Sequence, residues 1–216
     1  PSSAASDVYK RQELNRLGAE PAFLGYHGFP DVICISVNDQ VQHSIPDGRT
    51  LENGDVINFD FGVKYKGMIT DAGITTIIGG EALSNRDVEL LKGTKEALDA
   101  AVNMISAGVR VGDISATIQK VLEKYNLGIV KELVGHGVGY ELHEDPEIAN
   151  YGNAGTGPAL KAGMTIAVEP ITTTGSPDIY IEKDGWTIKT WDGSNSAQFE
   201  HTILVLEDGA EILTTC

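Results

Sequence analysis

Two β-rich runs, Val56–Val63 and Met68–Ile78, are separated only by Lys64-Tyr65-Lys66-Gly67. A connector that short cannot carry a crossover, so the runs form an antiparallel hairpin. Each contains one aspartate among apolar residues. Alternation puts Asp60 on the face of Val56, Asn58 and Gly62, away from Ile57, Phe59, Phe61 and Val63. With Tyr65-Lys66 as the loop, Asp71 falls directly opposite Asp60, their Cβ atoms about 4.5–5.5 Å apart. A loop ending at Gly67 would shift that register. Like charges facing each other destabilise a sheet, and a cation between them reverses the sign. Two solvated surface carboxylates are the plain alternative.

Around the hairpin the periodicity changes. Phe23–Pro30 is a turn-rich aromatic segment, and Val32–Val37 reads as a strand. Ser84 or Asn85 caps a helix with apolar positions at Val88, Leu91, Leu98, Ala101 and Ile105, stopped by Gly108. A second helix starts at Asp113, with Ile114, Ile118, Val121, Leu122 and Tyr125 inward, and ends at Asn126 and Gly128. From Ile129 onward short β-rich pieces alternate with Gly, Pro, Asn and Asp clusters, the last being Phe199–Leu206. This is an α+β pattern.

The order helix, helix, strand, Gly-His-Gly occurs once, from Asn85 to Gly137. Glu13–Gly28 resembles only the tail of such a unit, so a duplicated fold would have lost most helices of its first copy. Residues 1–12 lack an initiator Met and a clear periodicity. They are expected to be a non-native or disordered segment, leaving a single domain over residues 13–216.

Charge and cysteine content narrow the function. Lys and Arg number 16 against 31 Asp and Glu, a net charge of −15. That balance argues against a nucleic-acid site and against docking on anionic lipid. No apolar run approaches the roughly 18 residues of a membrane span. Two cysteines, Cys34 and Cys216, make no disulfide framework, and there is no apolar leader core. The expectation is a monomeric cytoplasmic protein.

Two more carboxylates are poorly placed for solvent. Glu169 follows the apolar run Met164–Val168 and precedes Pro170. Glu200 shares a strand face with Thr202, Leu204 and Leu206, while His201 faces the other way. Buried carboxylates need a partner. His136 stands between Gly135 and Gly137, which allow close backbone approach. His43 and His143 occur in Gln42-His43-Ser44-Ile45-Pro46 and Leu142-His143-Glu144-Asp145-Pro146, whereas His27 and His201 read as structural. Four carboxylates with one imidazole suit Mn, Fe, Co or Zn rather than a thiolate-type structural zinc. Two divalent ions would match the four negative charges. Such pairs, about 3.5–4 Å apart, polarise a water and stabilise an anionic transition state. The residues alone indicate a metal-assisted hydrolase.

The ordered set GYHGFP (25–30), ISVND and QHSIPDG (35–48), NGDVINFDFGV (53–63), TDAG (70–73), GHGVG (135–139), LHEDP (142–146), GMTIAVEP (163–170), KDGWTIKT (183–190) and SAQFEHTI (196–203) resembles the type I methionine aminopeptidases. The resemblance runs over essentially all of Glu13–Cys216. It implies the pita-bread fold, a curved antiparallel sheet with helices outside and two divalent metal ions inside. It implies Asp71 and Glu200 as ligands bridging both metals, Asp60 completing one, and His136 with Glu169 completing the other. By the same resemblance His43 contacts substrate and supports proton transfer, and His143 hydrogen-bonds the scissile peptide oxygen. Glu169 shuttles the proton from water to the leaving amine. Tyr26, Phe29, Cys34, Leu142 and Trp186 would line the methionine pocket, where aromatic and sulfur walls suit a flexible thioether. Leu142 and Phe29 stand where many relatives carry another aromatic.

The implied substrate is a peptide or a nascent chain at the ribosome, with a small residue after the methionine. The family has two helices before the equivalent of Glu13, so this chain reads as truncated there, with apolar sheet surface that invites self-association. Alternatives are an Xaa-Pro aminopeptidase or prolidase on the same fold, or an inactive scaffold that only binds partners.

Overall fold

The computed structural model describes residues 3–215. The Val56–Tyr65 and Met68–Ile77 strands form the expected hairpin, but its loop is Lys66-Gly67, with Tyr65 paired to Met68. Both loop residues have positive φ, 50° and 84°. That is the type I′ geometry whose twist matches the flanking strands, and it favours glycine second. Asp60 therefore pairs with Gly73, and Asp71 with Gly62. The aspartates are diagonal neighbours rather than directly opposite. A shift of two residues keeps them on one face, because side chains alternate with period two.

Val56–Tyr65 also pairs antiparallel with Cys34–Val37 and, near its end, with Glu20–Pro21. A second, five-stranded antiparallel sheet runs Gly209–Ile212, His201–Leu206, Thr165–Val168, Gly135–Gly137, Glu144–Ile148. The two sheets meet at a bridge between Gly73 and Glu200, where Glu200 N donates to Gly73 O at 2.8 Å. This bridge brings the last carboxylate beside the hairpin.

Helix α1 spans Ser3–Leu17, α2 Asn85–Met104 and α3 Val111–Lys124. The Ser84 hydroxyl accepts from Asp87 N at the start of α2, and Asp113 accepts from Arg110 N at the start of α3. These caps satisfy backbone donors left over at the first turn. Both helices bury apolar stripes on the outside of the second sheet. Leu90, Leu98, Ile114, Ile118 and Leu122 pack with Ile166, Val168, Ile203 and Val205. Each such side chain contributes about 1.5–3 kcal/mol.

The first sheet has less cover. Residues 3–12, expected to stand outside the fold, form most of α1. The Arg11 guanidinium ties this helix down, lying 2.7 Å from Asp7 and 2.8 Å from Asp31. Buried Asp7 also accepts from Val32 N at 3.1 Å, and Leu14 is buried. Lys10 lies over the Phe61 ring, 3.4 Å from its centroid, while Ile74 on the same face remains half exposed. Among the described residues no helix is long and apolar enough to cross a membrane.

Candidate metal centre and substrate pocket

The strand register brings the carboxylates together on the inner face of the layer. His136 pairs with Ala167, and His201 with Val168, so Glu169 and Glu200 emerge side by side where those strands end. The Gly73 bridge then sets Glu200 against Asp71 and Asp60. One ligand atom each from Asp71, His136 and Glu200 lie within 4.8 Å of one another. His136 reaches this point because its neighbours are glycines. A Cβ on Gly135 would run into the Ala167 carbonyl, and one on Gly137 into the Asp145 carbonyl.

All five side chains are buried. Burial, above all, pushes the Asp60 carboxyl up to about 6 and Glu169 up to about 8, where Asp60's charge adds to the rise. Asp71 and Glu200 are driven well above the usual carboxylate range by burial and then by the other acids of the cluster. Among the described residues no Lys or Arg forms a close ion pair with any of the four, and Lys10 only offsets part of the rise at Asp60 and Asp71. Oδ1 of Asp60 is buried without a hydrogen-bond partner. Such a group pays its desolvation without compensation.

His136 supplies the imidazole. Its Nδ1 lies 2.9 Å from Gly137 O, which orients the ring, and Nε2 stands 3.6 Å from Glu169 Oε1. Burial lowers its pKa, so the ring is neutral and can offer a lone pair. Four buried, mutually repelling carboxylates plus a neutral imidazole fit divalent cations of the Mn, Fe, Co or Zn type.

Three amides frame these acids; each lies inside one of the matched motifs, but none stands out there as a site residue. Gln42 Nε2 donates to Asp60 Oδ2 and Glu169 Oε2, at 3.0 and 3.3 Å. Gln198 Nε2 donates to Glu200 Oε2 at 2.9 Å and Glu169 Oε2 at 3.4 Å. Asn58 Nδ2 donates to Gln198 Oε1 at 3.0 Å and so fixes which way that amide faces. Strand alternation is the signal that could have found two of them. Asn58 is two residues from Asp60, and Gln198 two residues from Glu200.

A cavity of about 250 Å³ opens beside the carboxylates and is lined by every site residue expected from the sequence, including His43, His143, Tyr26, Phe29, Cys34, Leu142 and Trp186. Aromatic rings wall its apolar end. Phe29 packs edge-on against Trp186, centroids 5.2 Å apart, and against Phe23 at 6.5 Å. Burial pushes the Cys34 thiol well up, so it stays a neutral, soft wall.

His43 has φ 56°, a left-handed conformation that a residue with a Cβ adopts at a cost. Desolvation, helped by His143, lowers its pKa to about 4. His143 is also held to about 4, first by the surrounding walls and then by His136 and His27. Its ring centroid is 4.2 Å from that of His136. His201 turns away and meets Thr214 at 2.9 Å, while His27 packs edge-on against Tyr26, centroids 4.4 Å apart.

The family model of metallopeptidase family M24 matches residues 3–207. A methionine aminopeptidase of Bacillus subtilis is 41% identical over 213 residues, spanning 99% of this chain and 85% of that protein. The crystal structure of methionine aminopeptidase from Thermotoga maritima superposes with TM-score 0.97 at 42% identity, covering 100% of this chain and 86% of that one. A prolidase from Pyrococcus furiosus matches with TM-score 0.78 at 24% identity, covering 100% of this chain and 56% of that one, a likeness of fold alone.

Proposed function

The chain belongs to metallopeptidase family M24, and from that premise we propose that it is an aminopeptidase removing N-terminal methionine from peptides and nascent proteins when a small residue follows. One observation carries the reading. Four buried carboxylates and a neutral imidazole converge beside an apolar, sulfur-containing slot. Asp60, Asp71, His136, Glu169 and Glu200 would hold two divalent ions. Those ions would supply a polarised water and charge stabilisation for the transition state.

The chain's own groups divide the remaining work. The methionine side chain enters between Phe29, Cys34, Leu142 and Trp186, with Tyr26 at the opening. Burying it there contributes about 1.5–3 kcal/mol to binding. His143 is neutral at physiological pH and donates a hydrogen bond to the scissile carbonyl oxygen as charge builds on it. His43, also neutral, contacts the peptide beyond that bond and supports proton transfer. Glu169 takes a proton from the attacking water and passes it to the leaving nitrogen as the C–N bond breaks.

The substrate is a chain end emerging at the ribosome, met in the cytoplasm by a monomer. A net charge of −15 opposes docking on RNA, so the peptide end itself is what the enzyme recognises. The test is hydrolysis of Met-Ala-Ser by metal-free protein reloaded with Mn, Co, Fe or Zn, beside an Xaa-Pro peptide and His136→Ala. Metal-dependent release of methionine that fails in the variant is expected. Turnover undiminished by the substitution, or cleavage of the proline peptide alone, would refute the proposal.

A further inference from the structure

The mechanism above gives Gln42 no task, yet its side chain is among the most constrained in the cavity. It ends the short strand Gln40–Gln42, next to His43, and is 3% exposed. Its amide nitrogen donates to both Asp60 and Glu169, while its Oε1 is buried with no partner. Turned over, the amide would press its oxygen against two carboxylates, so charge fixes its orientation. One NH2 group has two protons and can serve two acceptors.

Each bonded carboxylate keeps its second oxygen free of the amide. Asp60 Oδ1 has no partner, and Glu169 Oε1 faces His136 Nε2 at 3.6 Å. The two acids are not equally dependent on Gln42. Glu169 also receives Gln198, whereas among the described residues Gln42 is the one side-chain donor to Asp60.

We propose that Gln42 is a positioning residue of the metal centre, its amide tying the outer oxygens of Asp60 and Glu169 together so that their inner oxygens face the ions. The inference rests on the two-metal reading above. Hydrogen-bond partners of metal ligands typically change metal affinity by about 10–100-fold when removed. Gln42→Met keeps the length and the packing and loses both protons. Mn2+ titrated calorimetrically into metal-free Gln42→Met should show one binding step roughly 10–100-fold weaker than in the unsubstituted protein. The other step should weaken less, because Gln198 still holds Glu169. A purely structural role would lower the thermal midpoint and leave both Mn2+ affinities unchanged, and that result would overturn the proposal.

A second measurement needs no variant. In the unsubstituted protein with 15N-labelled glutamine, the Gln42 side-chain amide protons should exchange slowly and shift when Zn2+ is added. Fast exchange with no shift would equally overturn the proposal. Failure of the unsubstituted protein to take up Mn2+ at all would instead defeat the metallopeptidase reading itself, and the role of Gln42 with it.

Discussion

The Tyr26 hydroxyl lies 2.7 Å from Nδ1 of His143. Burial, and then Glu141, raises the phenol's pKa, so it remains a donor at neutral pH. A phenol donating to Nδ1 leaves the proton of the neutral imidazole on Nε2, the nitrogen free to reach a peptide oxygen. Tyr26, counted from the sequence as a wall of the methionine pocket, thereby also selects the tautomer of His143. Tyr26→Phe keeps the ring and removes the bond. A hydrogen bond of this kind is worth about 1 kcal/mol, so kcat should fall roughly fivefold. KM for a methionyl peptide should stay nearly constant. The His143 15N shifts should show a mixture of tautomers, and a variant with unchanged shifts and unchanged kcat would remove Tyr26 from this role.

The carboxylate cluster makes metal-free protein sensitive to pH. Glu169 titrates near 8 in the fold, against an ordinary value of 4.5, and Asp60 near 6 against 3.8. The folded state therefore keeps protons that the unfolded chain releases over this range. Stability is greatest below the unfolded values and is lost as pH rises through the folded ones. Below about pH 6.5 the buried neutral His43 and His143 act in the opposite sense, so the thermal midpoint of chelator-treated protein should fall between about pH 6.5 and pH 8, where the acids dominate. Mn2+ should restore it most at the upper end, because the ions replace the protons. A midpoint that rises from about pH 6.5 to pH 8 in the absence of metal would contradict the assigned electrostatics.

Much of this centre was legible because strand alternation and the glycine-flanked histidine are local signals. Asp60 and Asp71 could be put on one face without knowing the loop, since a two-residue slip preserves the face. The loop was misplaced at Tyr65-Lys66, although Gly67, the residue that a type I′ turn favours second, pointed to Lys66-Gly67. Helix α1 was not legible. Val8 and Tyr9 point to solvent, so it has no strong apolar stripe. Arg11 bonds Asp31 twenty residues away, a partner that no window over residues 1–12 contains. Gln42 escaped for the same reason, since its acceptors Asp60 and Glu169 lie 18 and 127 residues away.

The aromatic end of the cavity should set substrate affinity rather than turnover. Trp186 packs edge-on against Phe29 and lines the slot. Trp186→Ala removes a wall against which the thioether would pack, at a cost of about 1.5–3 kcal/mol if that contact is wholly lost. KM for Met-Ala-Ser should rise by roughly ten- to a hundredfold, with a smaller change in kcat. Equal KM values for variant and parent would place the methionine side chain elsewhere.

Gly135→Ala tests whether backbone approach, rather than the histidine alone, builds the site. Gly135 pairs with Ile148 and lies against Thr165–Val168, where a methyl group would meet the Ala167 carbonyl. Backbone cannot yield as a flexible side chain can, so the Gly135–Gly137 strand must shift. The cost should be about 1–3 kcal/mol of stability. His136 would move with the strand, away from Glu169, so activity should fall far more than stability does. Ser84→Ala is the matched control. It removes the α2 cap, costs about 1 kcal/mol, and lies outside the cavity, so kcat should be unchanged. If Gly135→Ala lost no more activity than Ser84→Ala at equal loss of stability, the close packing around His136 would not be what positions it.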